Sequence, residues 1–170
     1  GLKSGVTDET TDVFLESACF NPTWVRKTAR RQGLNTDSSF RFERGVDPND
    51  TLYALKRAAM LVKELAGGEI CGDIVDIYPS PVAPFPVTLT YEKIDTLIGK
   101  HIPAETVKSI LHSLEIEIVS ENERELSLRV PTYRVDVQRD VDVIEDLLRI
   151  YGYNQVEISD RVHSSLSYKT

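Results

Sequence analysis

Four acidic side chains near the C-terminal end have types and spacing that could support chemistry. Asp142, Glu145 and Asp146 stand at positions i, i+3 and i+4 of a predicted helix, and Asp136 lies just upstream. Residues three and four apart share one face of a helix, so these carboxylates are expected to project together. Converging carboxylate oxygens suit a hard cation such as Mg²⁺. The spacing therefore indicates a candidate metal site.

A second interpretation of the same acids needs no ligand. Acids near a helix N-terminus are favoured by the helix dipole. If the apolar stripe faces the core, the acids form a solvated face, and spacing alone favours this alternative. The stripe would consist of Val141, Ile144, Leu148 and Tyr151.

The second candidate is a basic segment with interleaved aromatic residues. Residues 26–44 carry six basic and two acidic side chains, for a charge of +4. Arginines beside aromatic rings can bind phosphate and stack on bases, while Thr36, Asp37, Ser38 and Ser39 offer groups for a polar ligand. The alternative, which we favour on the residues alone, is a hydrogen-bonded loop in which Arg41 and Arg44 pair with nearby acids (Asp37, Glu43 or Asp47). The candidate RNA contacts are Arg26, Arg30, Arg31, Arg41 and Arg44.

Charge and composition restrict the possible class of protein. The net charge is −7, and residues 86–160 hold eight basic and fifteen acidic side chains, so a phosphate backbone would be repelled there. No apolar run is long enough for a membrane helix. The sequence starts at Gly1 rather than Met and shows no signal peptide, which predicts a processed or partial chain. No nucleotide-binding loop, nucleophile elbow or zinc-protease motif is present, so a self-contained enzyme is not supported.

The two cysteines, Cys19 and Cys71, form no CxxC pair and no metal-binding spacing. We expect buried or half-buried free thiols in a reducing compartment. The predicted location is therefore the cytoplasm.

A proline-rich segment divides the chain. Residues 78–86 contain four prolines, which stiffen an extended spacer. The predicted organisation is a first domain over residues 1–79, a linker over 80–86, a second domain over 87–160 and a tail over 161–170.

The first domain is predicted to be an α/β unit. Residues 13–20 are short, apolar and β-prone, which predicts a buried strand. Asn21 and Pro22 favour a helix start and Gly33 its end. Trp24 is expected to anchor the core. A second helix is predicted from Asp47 and Pro48 to the pair Gly67–Gly68, and one or two strands are predicted within residues 69–78.

The second domain is predicted to have the element order β-α-α-β-β-α. Alternating residues 115–119 and 126–130 indicate a β-hairpin, and the helices before it end or begin at Gly99 and Pro103. The last helix is expected from about Asp136 or Asp140 to Ile150. This small unit is winged-helix-like, and the whole chain is expected to be an α+β protein.

Two long motifs resemble a known family. Residues 30–47 (RRQGLNTDSSFRFERGVD) closely resemble a signature at the end of the B3/B4 domain of bacterial phenylalanyl-tRNA synthetase β subunits. Residues 131–136 (PTYRVD), 142–146 and 149–154 (RIYGYN) resemble the close of the B5 domain of the same family. The motifs stand in the family's order on either side of the proline-rich segment, and the resemblance covers residues 13–156.

This resemblance implies roles for particular residues. It implies Mg²⁺ binding in the intact enzyme by Asp136, Asp142, Glu145 and Asp146, with Asp146 standing where the family commonly has Glu. It also implies a B3/B4 pocket that hydrolyses mischarged Tyr-tRNA, with positions that match Glu16, Thr36 and Ser38. Ser38 replaces the alanine usual in the family, and further pocket residues, including a histidine, lie outside this chain.

The resemblance further implies an α subunit in an α2β2 heterotetramer, tRNA(Phe) as partner, and ATP use at the α subunit, where aminoacylation takes place. The chain is then a segment that is not catalytic for aminoacylation by itself. Two alternatives are a stand-alone winged-helix-like nucleic-acid adaptor and a purely structural spacer.

Overall fold

The computed structural model describes residues 5–157, and the chain has the predicted α+β class. It divides into two units, Gly1–Ala83 and Pro84–Thr170, and the division falls within the proline-rich residues 80–86. The tail predicted for residues 161–170 lies outside the described residues. Within residues 5–157, none of the helices has the length and apolar character needed to cross a membrane.

The first helix of unit 1, α1 (Pro22–Gln32), begins and ends at the residues that the sequence predicted. The Asn21 side chain accepts a hydrogen bond from the Trp24 N–H at 3.2 Å, which satisfies one of the free donors at the helix start. Gly33 ends the helix in the left-handed region with φ 64°.

A short helix, α2 (Asp37–Phe42), forms where the sequence indicated only a polar stretch. Its start is set by a reciprocal pair, since the Ser39 N–H donates to Thr36 Oγ1 at 3.1 Å and the Thr36 N–H donates to Ser39 Oγ at 3.0 Å. The predicted second long helix is α3 (Thr51–Ala66), entered through a 3₁₀ turn at Pro48–Asp50 and ended by Gly67.

The strands predicted in unit 1 are wrong. Residues 13–20 and 69–78 run as extended or irregular chain without a ladder, and Phe14 is 95% exposed. A strand is stable only where a neighbouring backbone accepts and donates its hydrogen bonds, and no described segment does so here. Two predictions of burial are also wrong. Trp24 does not anchor a core, since it is 67% exposed, and Cys19 and Cys71 are free thiols but are exposed.

Unit 2 has the predicted order β-α-α-β-β-α. Its elements are β1 (Phe85–Thr90), α4 (Tyr91–Ile98), α5 (Ala104–Ser113), β2 (Glu117–Glu121), β3 (Glu125–Val130) and α6 (Asp140–Tyr151). The antiparallel sheet has the strand order β1-β3-β2, with Leu89 opposite Leu126. A bulge between Ile118 and Ser120 interrupts the pairing of β2 with β3, and β1 carries Pro86.

The core of unit 2 lies between the sheet and its three helices. Alternate residues of β1 and β3 point inward, and the inward faces of α4, α5 and α6 cover them. The fully buried side chains include Leu89, Ile94, Val107, Leu111, Leu126, Val143 and Leu147. This core fixes the position of α6 and of the loop that precedes it.

Candidate functional site

An open groove of about 500 Å³ lies in unit 1 between α1 and α2. Aromatic side chains supply much of its wall, with Phe20, Trp24 and Phe42 among the lining residues. Phe20 and Phe42 contact edge to face, with ring centroids 4.9 Å apart. The apolar wall and the volume of the groove suit a ligand that carries an aromatic ring.

Two of the three predicted pocket residues line this groove, Thr36 and Ser38. Thr36 Oγ1 accepts the Ser39 N–H, and no acceptor for its own hydroxyl proton occurs among residues 5–157, so the hydroxyl can still donate to a ligand. Glu16 is exposed and is not among the groove's lining residues. The structure therefore brings together Thr36 and Ser38 but not Glu16.

The predicted RNA-contacting arginines divide into two groups. Arg26 donates to the Glu43 carbonyl at 3.2 Å, and Arg44 donates to Glu43 Oε1 at 3.3 Å while its guanidinium carbon lies 3.4 Å from the Phe40 ring centroid. Arg30, Arg31 and Arg41 make no ion pair within the described part of the chain. The expected loop pairing holds for Arg44 with Glu43 but not for Arg41.

Asp142, on the first turn of α6, is held by one arginine and two backbone groups. Its Oδ1 accepts from Arg139 Nη2 at 2.7 Å, and its Oδ2 accepts from Arg139 Nε at 3.1 Å. The same Oδ2 accepts the N–H groups of Arg139 and Gln138 at 2.9 and 3.3 Å. The Arg139 guanidinium, followed by these N–H groups, lowers the pKa of the Asp142 carboxyl.

Asp146 is the most buried acid of the group, with only 10% of its side chain exposed. Arg134 Nη1 donates to its Oδ2 at 3.0 Å, and Arg149 Nη1 lies 2.9 Å from its Oδ1. Glu145, which is exposed, pairs with Arg149 Nη2 at 3.0 Å. Asp136 is exposed and makes no ion pair with any described residue.

The solvated-face interpretation of the acidic helix is wrong, and the metal interpretation stays a prediction whose fit depends on the arrangement of the four acids. The acids do not form one solvated face, because Asp146 and Asp142 turn inward while Val141 is exposed. The carboxylates also do not converge on a common point, and within residues 5–157 no three His, Cys, Asp or Glu side chains are placed to hold a metal ion. In this arrangement the predicted ligands do not fit Mg²⁺, which requires near-octahedral oxygen ligands.

Sequence reasoning overlooked the arginines that surround these acids. Arg139 precedes Asp142 by three residues and Arg149 follows Glu145 by four, spacings that place the charges side by side at a helix surface. The sequence spacing alone could therefore have predicted the Arg139–Asp142 and Arg149–Glu145 pairs. The Arg134–Asp146 pair joins α6 to a loop, so helical spacing could not predict it.

Two family models match the chain. The B3/4 domain matches residues 1–67, and the tRNA synthetase B5 domain matches residues 87–153. The groove lies in the first match, and the arginine-paired acids lie in the second. The chain thus combines two modules that define a class of tRNA synthetase subunit.

Relatives with the same combination are similar along nearly all of the chain. The phenylalanine–tRNA ligase beta subunit of Bacteroides fragilis (strain YCH46) is 67% identical over 99% of the chain, and that of Bacteroides thetaiotaomicron is 63% identical over 99%. The beta subunit of Geobacter sulfurreducens is 41% identical over 92% of the chain. The chain covers 21%, 21% and 20% of these relatives, about a fifth of their length.

The chain belongs to the phenylalanine–tRNA ligase beta-subunit family.

Proposed function

We propose that this chain is the part of a phenylalanine–tRNA ligase beta subunit that supports ATP-dependent attachment of phenylalanine to tRNA(Phe). The observation that carries the proposal is 67% identity to such a subunit over 99% of the chain. In the proposed assembly, an α2β2 heterotetramer in the cytoplasm, the α subunit binds ATP and carries out aminoacylation. The role of this chain is then to position RNA and to contribute to editing.

The proposed editing function is hydrolysis of Tyr-tRNA that was charged in error. The groove supports it, because its aromatic wall accepts the ring that tyrosine and phenylalanine share, and Thr36 and Ser38 provide hydroxyls at its edge. A site that hydrogen-bonds the tyrosine hydroxyl rejects phenylalanine, since phenylalanine would leave a polar group unpaired. Glu16 is the proposed acceptor of that hydroxyl. This assignment rests on the family resemblance, because Glu16 does not line the groove.

The proposed RNA-binding surface is the basic face of α1. This helix carries four basic side chains and no acid. Arg30 and Arg31 are exposed and keep their charge available for phosphates. Magnesium binding by the α6 acids forms no part of this proposal, because their oxygens are engaged by arginines.

The Glu16→Ala variant of a complete beta subunit, assembled with its α subunit, tests the editing role. We expect hydrolysis of Tyr-tRNA to fall by about tenfold or more, since the tyrosine hydroxyl loses its partner, while aminoacylation with phenylalanine stays unchanged. The Glu64→Ala variant is the matched control, because Glu64 is an exposed acid on α3 away from the groove. Unchanged hydrolysis by Glu16→Ala would remove Glu16 from the editing site.

A further inference from the structure

The loop between β3 and α6, residues 131–139, is held by two backbone turn bonds, by the buried Val137 in the core, and by side-chain bonds. It contains only turns, so no ladder or helix fixes it. Arg134 reaches in two directions from this loop. Its Nε donates to the Leu114 carbonyl at 3.0 Å, at the end of α5, and its Nη1 donates to Asp146 on α6 at 3.0 Å. One guanidinium thus connects the loop to two helices.

The second attachment of the loop is at its other end. Arg139 and Gln138, the last two loop residues, both bond Asp142 on the first turn of α6. Arg149, in the last turn of α6, completes the neutralisation of Asp146 and also pairs with Glu145. Three arginines therefore face three of the four predicted ligand acids, Asp142, Glu145 and Asp146, and these charges balance without a metal ion.

A divalent cation would have to compete with these arginines. A guanidinium keeps its proton at any pH that a protein survives, so it cannot be neutralised to release the acids. Binding Asp146 to a cation would also leave the largely buried Arg134 guanidinium without its partner and beside a second positive charge, which is unfavourable. Mg²⁺, moreover, gives up its own waters reluctantly.

We infer that Asp142 and Asp146 serve this chain as a clasp, in which they bind Arg139, Arg134 and Arg149 and fasten residues 131–139 onto α6 instead of holding a divalent cation. The inference does not rest on the proposed function, because it concerns contacts inside unit 2. It differs from what the family resemblance implies for the intact enzyme.

Magnesium titration of the whole chain provides the first test. In calorimetry with MgCl₂, we expect equal heats for the unchanged chain and for Asp142→Asn, and no rise in the thermal midpoint Tm beyond that given by NaCl at the same ionic strength. A magnesium-dependent rise in Tm that Asp142→Asn abolishes would overturn the clasp. This readout does not depend on any severely destabilised variant.

A double-mutant cycle in Tm provides the second test. We expect Arg134→Gln and Asp146→Asn each to lower Tm by about 5 °C or more, and the double variant to lose clearly less than the sum, because each single change leaves a partner unpaired. Glu145→Gln is the control, since its exposed pair with Arg149 contributes little. Additive losses would contradict the clasp. If Asp146→Asn does not fold, the cycle is measured with Arg139→Gln and Asp142→Asn instead. A double variant that loses less Tm than the sum supports the clasp, and additive losses contradict it.

Discussion

Tyr133 donates its hydroxyl proton to Glu115 Oε2 at 2.5 Å, across the loop that precedes α6. This hydrogen bond, followed by partial burial, raises the pKa of the Tyr133 hydroxyl, because losing the proton would set two negative oxygens side by side. A raised folded-state pKa contributes stability that is fully present below the unfolded value near 10 and is lost as the pH rises through the folded pKa.

The Glu115→Gln variant tests this link. We expect it to lower the Tyr133 pKa toward the ordinary tyrosine value, and we expect Tyr133→Phe to be less sensitive than the unchanged chain to alkaline denaturation. An NMR titration of ring-labelled tyrosine measures the pKa, and denaturant unfolding at several alkaline pH values measures the stability. Identical titration of Tyr133 with and without the Glu115 carboxylate would contradict the assignment.

At the same scale, the sequence predicted which residues would lie together only where the local chain specifies it. Thr36 and Ser38 do line one groove, because the short helix that begins between them is specified locally by the Thr36–Ser39 pair. Asp146 could not be recognised as buried from its spacing alone. Its burial depends on Arg134, which lies twelve residues away on a loop whose path follows from packing rather than from periodicity.

Among the elements, the caps were the most predictable features. Asn21, Gly33 and Gly99 bound helices as expected, because each acts through its own backbone angles or through a side chain within the first turn. The strands predicted at residues 13–20 and 69–78 were wrong for the opposite reason. A strand depends on a distant partner, and an apolar β-prone run cannot show whether that partner is present.

Helix α5 and helix α3 offer a matched pair of leucines for a stability test. Leu111 is fully buried in the core of unit 2, whereas Leu65 is 82% exposed on α3. We expect Leu111→Ala to lower the free energy of unfolding by about 2–5 kcal/mol and Leu65→Ala to change it by less than about 0.5 kcal/mol. Urea denaturation followed by circular dichroism gives both values. Equal losses would show that α3 contributes a core of its own.

Across the whole chain, burial is concentrated in one unit. Every buried residue among positions 5–157 lies in unit 2, and α1, α2 and α3 bury none. Local opening is expected where few apolar contacts oppose it. Apolar side chains of unit 1, such as Phe14 and Leu65, therefore remain exposed to solvent in this chain.

Hydrogen exchange of the chain should show this difference directly. We expect backbone amides of β3, such as those of Leu126 and Leu128, to exchange only through unfolding of unit 2. The amides of α3 should exchange at least about 100-fold faster, since helices without tertiary packing are marginal in water. Mass spectrometry of peptides from both units makes the comparison within one sample. Comparable protection in α3 would contradict it.

The uneven charge of the molecule leads to a prediction on RNA binding. In the complete enzyme, changing Arg30 and Arg31 together to Gln should weaken tRNA binding and lower its dependence on salt by about one to two units of slope, because up to two phosphate contacts are lost. Changing Lys56 and Arg57 together to Gln removes the same charge from α3 and should have little effect. Filter binding over a range of salt concentrations measures both, and equal effects would show that only total charge matters.

The two outer strands of the small sheet have a further consequence. Pro86 deprives β1 of one amide donor, and the irregularity between Ile118 and Ser120 interrupts the regular pairing of β2, whose two ends are glutamates. An extended peptide that approaches the edge of β1 therefore finds one hydrogen-bond donor missing. A peptide that approaches the edge of β2 meets an irregular backbone with a glutamate at each end. Both margins of the sheet therefore disfavour pairing with a foreign strand, which lowers the tendency of neighbouring copies to join their sheets.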